Sequence, residues 1–196
     1  MDFSRRSAEK EIIDLRPLTP EENLSAFKRI AWINRFLGGT GVILHHLQRF
    51  SKNWKRGEVI KILDLGTGIS DIPEAVLRWG KKQGFQIEIT ALDLFHEPLK
   101  AGRLAPGISR IQASCFDLPF QTQTFDYVMA SMFFHHLENT EIYSVLAQAS
   151  AMAKRGIIIN DRDLFNAQFF GGKFFVLQFR VCLHPGFTVA FGQLEH

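Results

Sequence analysis

Apolar residues recur along this chain with two different periods, and their alternation predicts the architecture. From Pro20 to Phe50 the period is helical. Leu24, Phe27, Ile30 and Ala31 share one face, and after a break at Gly38-Gly39 a second face carries Ile43, His46, Leu47 and Phe50. Thr19-Pro20-Glu21-Glu22 offers a helix start, with an N-cap, a proline and acids in the first turn. Beyond a polar linker at 51–57, short apolar runs alternate with helical stretches. Strands are predicted at 59–65, 86–92, 108–113, 125–131 and 156–160. Between them, residues 71–83 place Ile72, Ala75, Val76 and Trp79 on one side, and residues 139–153 do the same with Ile142, Val145, Leu146 and Ala149. Repeated strand–helix alternation implies an α/β protein: a mostly parallel sheet with helices on both faces and right-handed crossovers. Ligands then bind outside the carboxyl ends of the strands.

This pattern divides the chain into a helical segment at 1–56 and one α/β domain at 57–193. Leu194-Glu195-His196 reads as the beginning of a purification tag. Residues 164–183 hold six phenylalanines and few charges. They suit either a buried helix pair or a substrate-facing or membrane-touching surface.

Composition narrows the classes. With 196 residues, 46% of them hydrophobic, the chain can fill one core, and its 19 phenylalanines make that core aromatic. Cys115 and Cys182 form no disulfide framework or metal spacing, so a reduced, cytoplasmic protein without a metal is expected. The charged N-terminus does not resemble a signal peptide, and no apolar run is long enough for a membrane span. Residues 1–56 hold 11 Lys/Arg against 6 Asp/Glu, while the remainder holds 12 against 14. That basic lead suits a solvated helical face. Nucleic acid is not expected as a partner, because the charges are dispersed and lack interleaved surface aromatics. A small-molecule substrate is expected, peripheral membrane contact stays open, and the sequence says nothing of oligomeric state.

The chemistry concentrates at residues 62–70, Ile-Leu-Asp-Leu-Gly-Thr-Gly-Ile-Ser. A strand ending in Gly66-Thr67-Gly68 and opening into a helix makes a nucleotide site, since glycines allow a tight turn and the helix start offers N–H groups to an anion. Asp71-x-x-Glu74 has the character of a capping box, with Pro73 tolerated in the first turn. A nicotinamide fingerprint would need a third glycine at 71, where Asp71 stands. Asp93, at the tip of the next strand, can accept hydrogen bonds from ribose hydroxyls; the plainer reading is a helix cap.

Asp64-x-Gly66-x-Gly68-x-Ser70 resembles the first motif of the class I S-adenosylmethionine-dependent methyltransferases, with Ser70 replacing their usual third glycine. Ala113-Ser114-Cys115-Phe116-Asp117-Leu118-Pro119-Phe120, followed by Phe125-Asp126, is similar to their ubiquinone/menaquinone-type branch. The resemblance covers residues 59–162. It implies a Rossmann-like fold preceded by a helical lid, with S-adenosylmethionine as cofactor. Asp117 would accept from the adenine amino group and Phe116 would pack on the ring. Asp64, Gly66, Thr67, Gly68, Ser70, Asp93, Leu94 and Met132 complete the implied cofactor set. Family members also carry an apolar, histidine-containing turn where this chain has Ser131-Met132-Phe133-Phe134-His135-His136-Leu137. It would make His135 or His136 a catalytic candidate and set Phe133 or Phe134 near the sulfonium. Two adjacent histidines on a strand would not face one point, and a structural role for either remains open. Where the family ends in an antiparallel strand pair, only Gly186 to Phe191 is left here, enough for one strand. The function so implied is methyl transfer to a small, apolar, quinone-like or polyketide-like acceptor. A non-catalytic cofactor-binding module and a nicotinamide-dependent oxidoreductase are the rival readings.

Overall fold

The computed structural model describes residues 19–36, 39–102, 105–161 and 188–191. The phenylalanine-rich stretch 164–183 and the tag-like 194–196 lie outside the described residues. Two helices lead, α1 (Pro20–Phe36) and α2 (Gly39–Phe50). There follow β1 (Val59–Leu65), α3 (Asp71–Gln83), β2 (Gln86–Asp93), α4 (His96–Ala101), β3 (Ile108–Gln112), β4 (Phe125–Ser131), α5 (Asn139–Met152), β5 (Ala153–Asn160) and β6 (Thr188–Phe191). The strands form one parallel sheet in the order β3-β2-β1-β4-β5-β6. Among the described residues β6 follows β5 and pairs with it in parallel.

Side-chain parity explains why both faces are covered. Along β1, Ile60 and Ile62 point to one side and Leu63 and Leu65 to the other. The first side joins Ile87, Ile89, Met129 and Ile158 beneath α2 and α3, whose Ile43, Leu47, Ile72 and Val76 are buried there. The second joins Val128, Ala130, Ile157 and Ile159 beneath Ile142, Val145 and Ala149 of α5. Ile43 and Leu47 are fully buried, each contributing about 1.5–3 kcal/mol. Helix α2 is therefore part of the core. The expected boundary at residue 56 runs between α2 and the sheet it packs on, and only α1 reaches the carboxyl edge.

One expectation needs correcting. Strand β5 begins at Ala153, three residues earlier than its apolar run, because Ala153 pairs with Phe125 and Arg155 reaches Asp126 at 3.0 Å. Partners across the sheet thus extend a stretch whose own composition ends the strand sooner. A register shift between Phe125 and Tyr127 also changes the parity of β4, so Phe125 and Val128 share a core. Asp126, between them, accepts the Lys61 N–H at 2.9 Å. No helix among the described residues is long and apolar enough to cross a membrane.

Candidate functional site

Strand order reverses between β1 and β4, and the loops leaving their carboxyl ends meet there. The first is the glycine turn. Gly66 and Gly68 have φ of +67° and +54°, a region open to glycine and strained for other residues. Thr67 N–H donates to Leu92 O at 3.0 Å and Ser70 N–H to Thr67 O at 3.0 Å, holding the turn against the end of β2. Space is also short. A Cβ on Gly66 would collide with the Phe133 ring, and one on Gly68 would lie 3.1 Å from Cδ1 of Phe27 on α1.

Asp93 ties β2 to this turn. It is 7% exposed, and its two oxygens accept from Gly68 N–H at 2.8 Å and Phe95 N–H at 3.0 Å. The bond to Phe95, two residues on, closes an Asx turn ahead of α4, whose N-cap is Phe95 with no side-chain cap bond, so Asp93 is not the helix cap of the plainer reading. The bond to Gly68, 25 residues upstream, makes Asp93 a brace for the glycine turn as well. Burial raises its pKa, opposed by these backbone bonds and the nearby His136. Asp64, at the other end of the turn, is buried on β1, and desolvation pushes its carboxyl up to about 8. A Thr67 hydrogen bond opposes that rise, while Asp71 and Asp93 add to it.

At the end of β4, Met132 turns through φ +52° with its N–H on Asn160 O at 2.7 Å. Asp161, the residue after β5, then collects the following turn. Its Oδ2 accepts from Phe133 N–H at 2.8 Å and His135 N–H at 3.2 Å, and its Oδ1 lies 2.9 Å from His135 Nδ1. The side chains of His135 and Asp161 are 6% and 0% exposed.

A family model described as a methyltransferase domain matches residues 62–156. The sheet is similar to that of a candidate S-adenosyl-L-methionine-dependent methyltransferase from Methanococcus maripaludis, with a TM-score of 0.55 and 13% identity over 80% of this chain and 69% of that one. It is also similar to the CMeT domain of a citrinin polyketide synthase, with a TM-score of 0.51 and 16% identity over 60% of this chain and 34% of that one. No curated protein matches the chain. The fold is the Rossmann-like methyltransferase fold. A further solved structure, a methyltransferase candidate of an antibiotic biosynthesis pathway in Anabaena variabilis, aligns at 15% identity over 57% of this chain. The chain spans between 34% and 69% of the length of these three structures.

The residues present suit the cofactor that this methyltransferase fold implies. Buried carboxyl groups border the glycine turn, and Leu94, Phe95 and Phe116 are 58%, 57% and 42% exposed around the same edge. Apolar surfaces of this kind suit an aromatic base. Phe116 and the exposed Asp117 sit on a loop pinned by Gln148, whose Nε2 donates to Phe116 O at 2.6 Å while its Oε1 accepts from Leu118 N–H at 3.1 Å. The described residues hold no group of three or more His, Cys, Asp or Glu able to bind a metal.

Three local expectations change. The N-cap of α3 is Ser70, not Asp71, and no capping box forms there, because Ser70 adopts φ +64° and its hydroxyl makes no cap bond. That fully buried hydroxyl instead lies 3.5 Å from Thr67 Oγ1 and 3.4 Å from Arg110 Nε. Ser70 therefore occupies a glycine conformation, at a cost of about 1 kcal/mol. Capping boxes occur at Glu138–Glu141, and at Thr19–Glu22, where Thr19 Oγ1 receives Glu22 N–H at 3.2 Å. Phe134 is 1% exposed in the core beneath α5, so of the two phenylalanines only Phe133 borders the turn. The two histidines do come together, with ring centroids 4.1 Å apart, because residues 134–136 form a 3-10 turn instead of extended strand.

Sequence reading missed Phe95, Gln148 and Asp161. An acid directly after the fifth strand was the available signal for Asp161, since such a position reaches the ligand edge by topology alone. A cleft of about 680 Å³ opens at the opposite edge, between α3, the starts of β1 and β2, and residues 105–106. It contains none of these site residues.

Proposed function

We propose that this chain transfers the methyl group of S-adenosylmethionine to a small, apolar acceptor of quinone-like or polyketide-like character. The observation that carries this reading is the single hydrogen-bonded unit of glycine turn and Asp93, set beside exposed apolar side chains at the carboxyl edge. The remaining lone pairs of Asp93 take the ribose hydroxyls, Asp117 takes the adenine amino group, and Phe116 with Leu94 and Met132 borders the base. N–H groups at the start of α3, at Asp71 and Ile72, meet the cofactor's carboxylate, the Ser70 N–H being taken by Thr67 O. Asp64 and Thr67 hold the turn from below.

When bound, the cofactor supplies a methyl group already activated by a sulfonium. The chain's own part is then to align the acceptor and keep water out. Phe133 forms a wall of the methyl channel, and His135 or His136 stands on the acceptor side. Helix α1, whose Phe27 rests against Gly68, acts as a lid. The site belongs in the cytoplasm, where the cofactor is made.

Titration calorimetry tests the reading. S-adenosylhomocysteine should bind in the micromolar range, about −8 kcal/mol, and NADH should give no heat. The reverse preference would return the chain to the oxidoreductases. Binding without turnover across a panel of quinols, polyketide-like phenols and amines would make it a non-catalytic module.

A further inference from the structure

Between β3 and β4 the chain runs through a loop that is neither helix nor strand, and its Phe116 and Asp117 side chains stand exposed. An exposed loop keeps a side chain in place only if its backbone is fixed. Local bonds do part of this. Phe116 N–H donates to Ser114 Oγ at 3.2 Å, Asp117 N–H to Ser114 O at 3.3 Å and Phe120 N–H to Leu118 O at 2.8 Å. Leu118, 7% exposed, anchors the loop in the core beneath α5. Two further backbone groups are taken by one half-buried side chain from α5, 32 and 30 residues downstream. Gln148 Nε2 donates to Phe116 O at 2.6 Å, and its Oε1 accepts from Leu118 N–H at 3.1 Å. These two groups flank Asp117, the one acid of the loop. Reversing the amide would set donor against donor and acceptor against acceptor, so its orientation is fixed. Neither a carboxylate nor an ammonium could make both bonds.

We infer that Gln148 is a positioning residue for base recognition: by fixing the turn at Phe116 and Asp117 it makes the site select a purine that carries a 6-amino group. This deepens the methyltransferase reading and rests on it, since Asp117 is there the acceptor of that amino group. Alignment is the physical reason. A hydrogen bond weakens steeply once donor and acceptor lose their geometry, so a carboxylate on a loop free to shift cannot tell an amino group from hydrogen. Packing on Phe116 tolerates such shifts, because an aromatic face accepts any purine. Loosening the clamp should therefore erase the preference for one base and spare much of the affinity for purines in general.

Gln148→Met keeps the length and helix preference of the side chain and removes both bonds; Gln148→Ala removes them with a smaller one. The probes are S-adenosylhomocysteine and its analogue with hydrogen in place of the 6-amino group, each titrated by calorimetry. The native protein should prefer the adenine compound by about tenfold or more, as expected of a hydrogen bond to a charged acceptor. Both variants should bind the two compounds within about threefold of each other, with the analogue held as the native protein holds it. Asp117→Ala should show the same levelling, and adding Gln148→Met to it should change the ratio no further. In the cofactor-free protein, exchange of the Leu118 amide hydrogen, followed by NMR, should quicken in both Gln148 variants. An unchanged preference in a folded variant overturns the inference. So does equal weakening of both compounds, since Gln148 then supports the fold alone, and so does a native protein that binds the two alike. Native protein that binds neither compound overturns the methyltransferase reading and the inference with it, whereas a native preference that survives in the variants leaves that reading standing.

Discussion

At the amino edge of the sheet, Asp126 meets the Arg155 guanidinium at 3.0 Å and the Lys61 N–H at 2.9 Å, and Arg155 also pairs with Glu58. Trp54 Nε1 donates to Tyr127 Oη at 2.9 Å within a cluster of Phe50, Trp79 and Phe85. The carboxyl edge is built differently. Asp64 and Asp93 are buried near each other and near Asp71, and all three sources of negative charge surround one turn. Among the described residues, two of the three non-glycine residues with positive φ, Ser70 and Met132, are at this edge, and large apolar side chains stay exposed around it. One edge neutralises its charge and closes its rings into a core. The other keeps raised carboxyl groups, strained backbone and uncovered apolar surface, the features of a place shaped for a ligand.

Substitutions at the two edges should therefore separate binding from stability. The largest effect is expected for Gly68→Val, which puts a branched side chain at φ +54° and against Phe27. Calorimetry should find no S-adenosylhomocysteine binding while the far-ultraviolet dichroism stays native. Wild-type affinity in a folded variant would dismiss the glycine turn as the site. Asp93→Ala should weaken the cofactor by about 1.5–3 kcal/mol, roughly 10- to 150-fold, since it loses a charged acceptor. A 2′,3′-dideoxy analogue should bind wild type and variant alike. If the variant still prefers the natural cofactor as strongly as wild type, Asp93 is only a brace.

The matching change at the amino edge is Asp126→Ala. It leaves the Lys61 N–H without its acceptor and removes one partner of Arg155. The Arg155 side chain is 32% exposed, so the loss should be about 2 kcal/mol in urea unfolding, below that of a fully buried pair. Cofactor affinity should not change. A drop in affinity as large as that of Asp93→Ala would erase the contrast between the edges.

The last effect is on pH. The folded-state pKa of Asp64 is raised from 3.8 to about 8, so between those values the folded protein holds a proton that the unfolded chain releases. The contribution of this carboxyl to stability is complete below about pH 4 and is lost as pH rises toward 8. Asp64→Asn, which stays neutral and can keep a bond to Thr67, should flatten that part of the profile in urea midpoints measured from pH 5 to 8. An unchanged slope would place the titration elsewhere.

Much of the fold was legible because burial has a period. Strand β1 and helix α3 fall where the alternation predicts them, at Val59–Leu65 and Asp71–Gln83. Their neighbours bury each face without further information from afar. The start of β5 was not legible, because Ala153, Lys154 and Arg155 join the strand through Phe125 and Asp126, some 30 residues upstream. At the site, Gly66, Gly68 and Asp93 announce themselves by residue type and spacing. Asp161 and Gln148 do not, since an acid and an amide are unremarkable until the fold brings them to the same edge.

By itself, then, the sequence determined most of the elements, the two apolar faces of the sheet and the tight glycine turn of the first loop, because these follow from local periodicity and from what glycine alone permits. Only the tertiary structure decided that α2 is core while α1 lies over the turn, that Ser70 must take a glycine's conformation, and that His135 and His136 share one small space. It alone joined His135 to Asp161. Those outcomes depend on where strands end relative to one another, and that distance is set by the packing of the whole sheet.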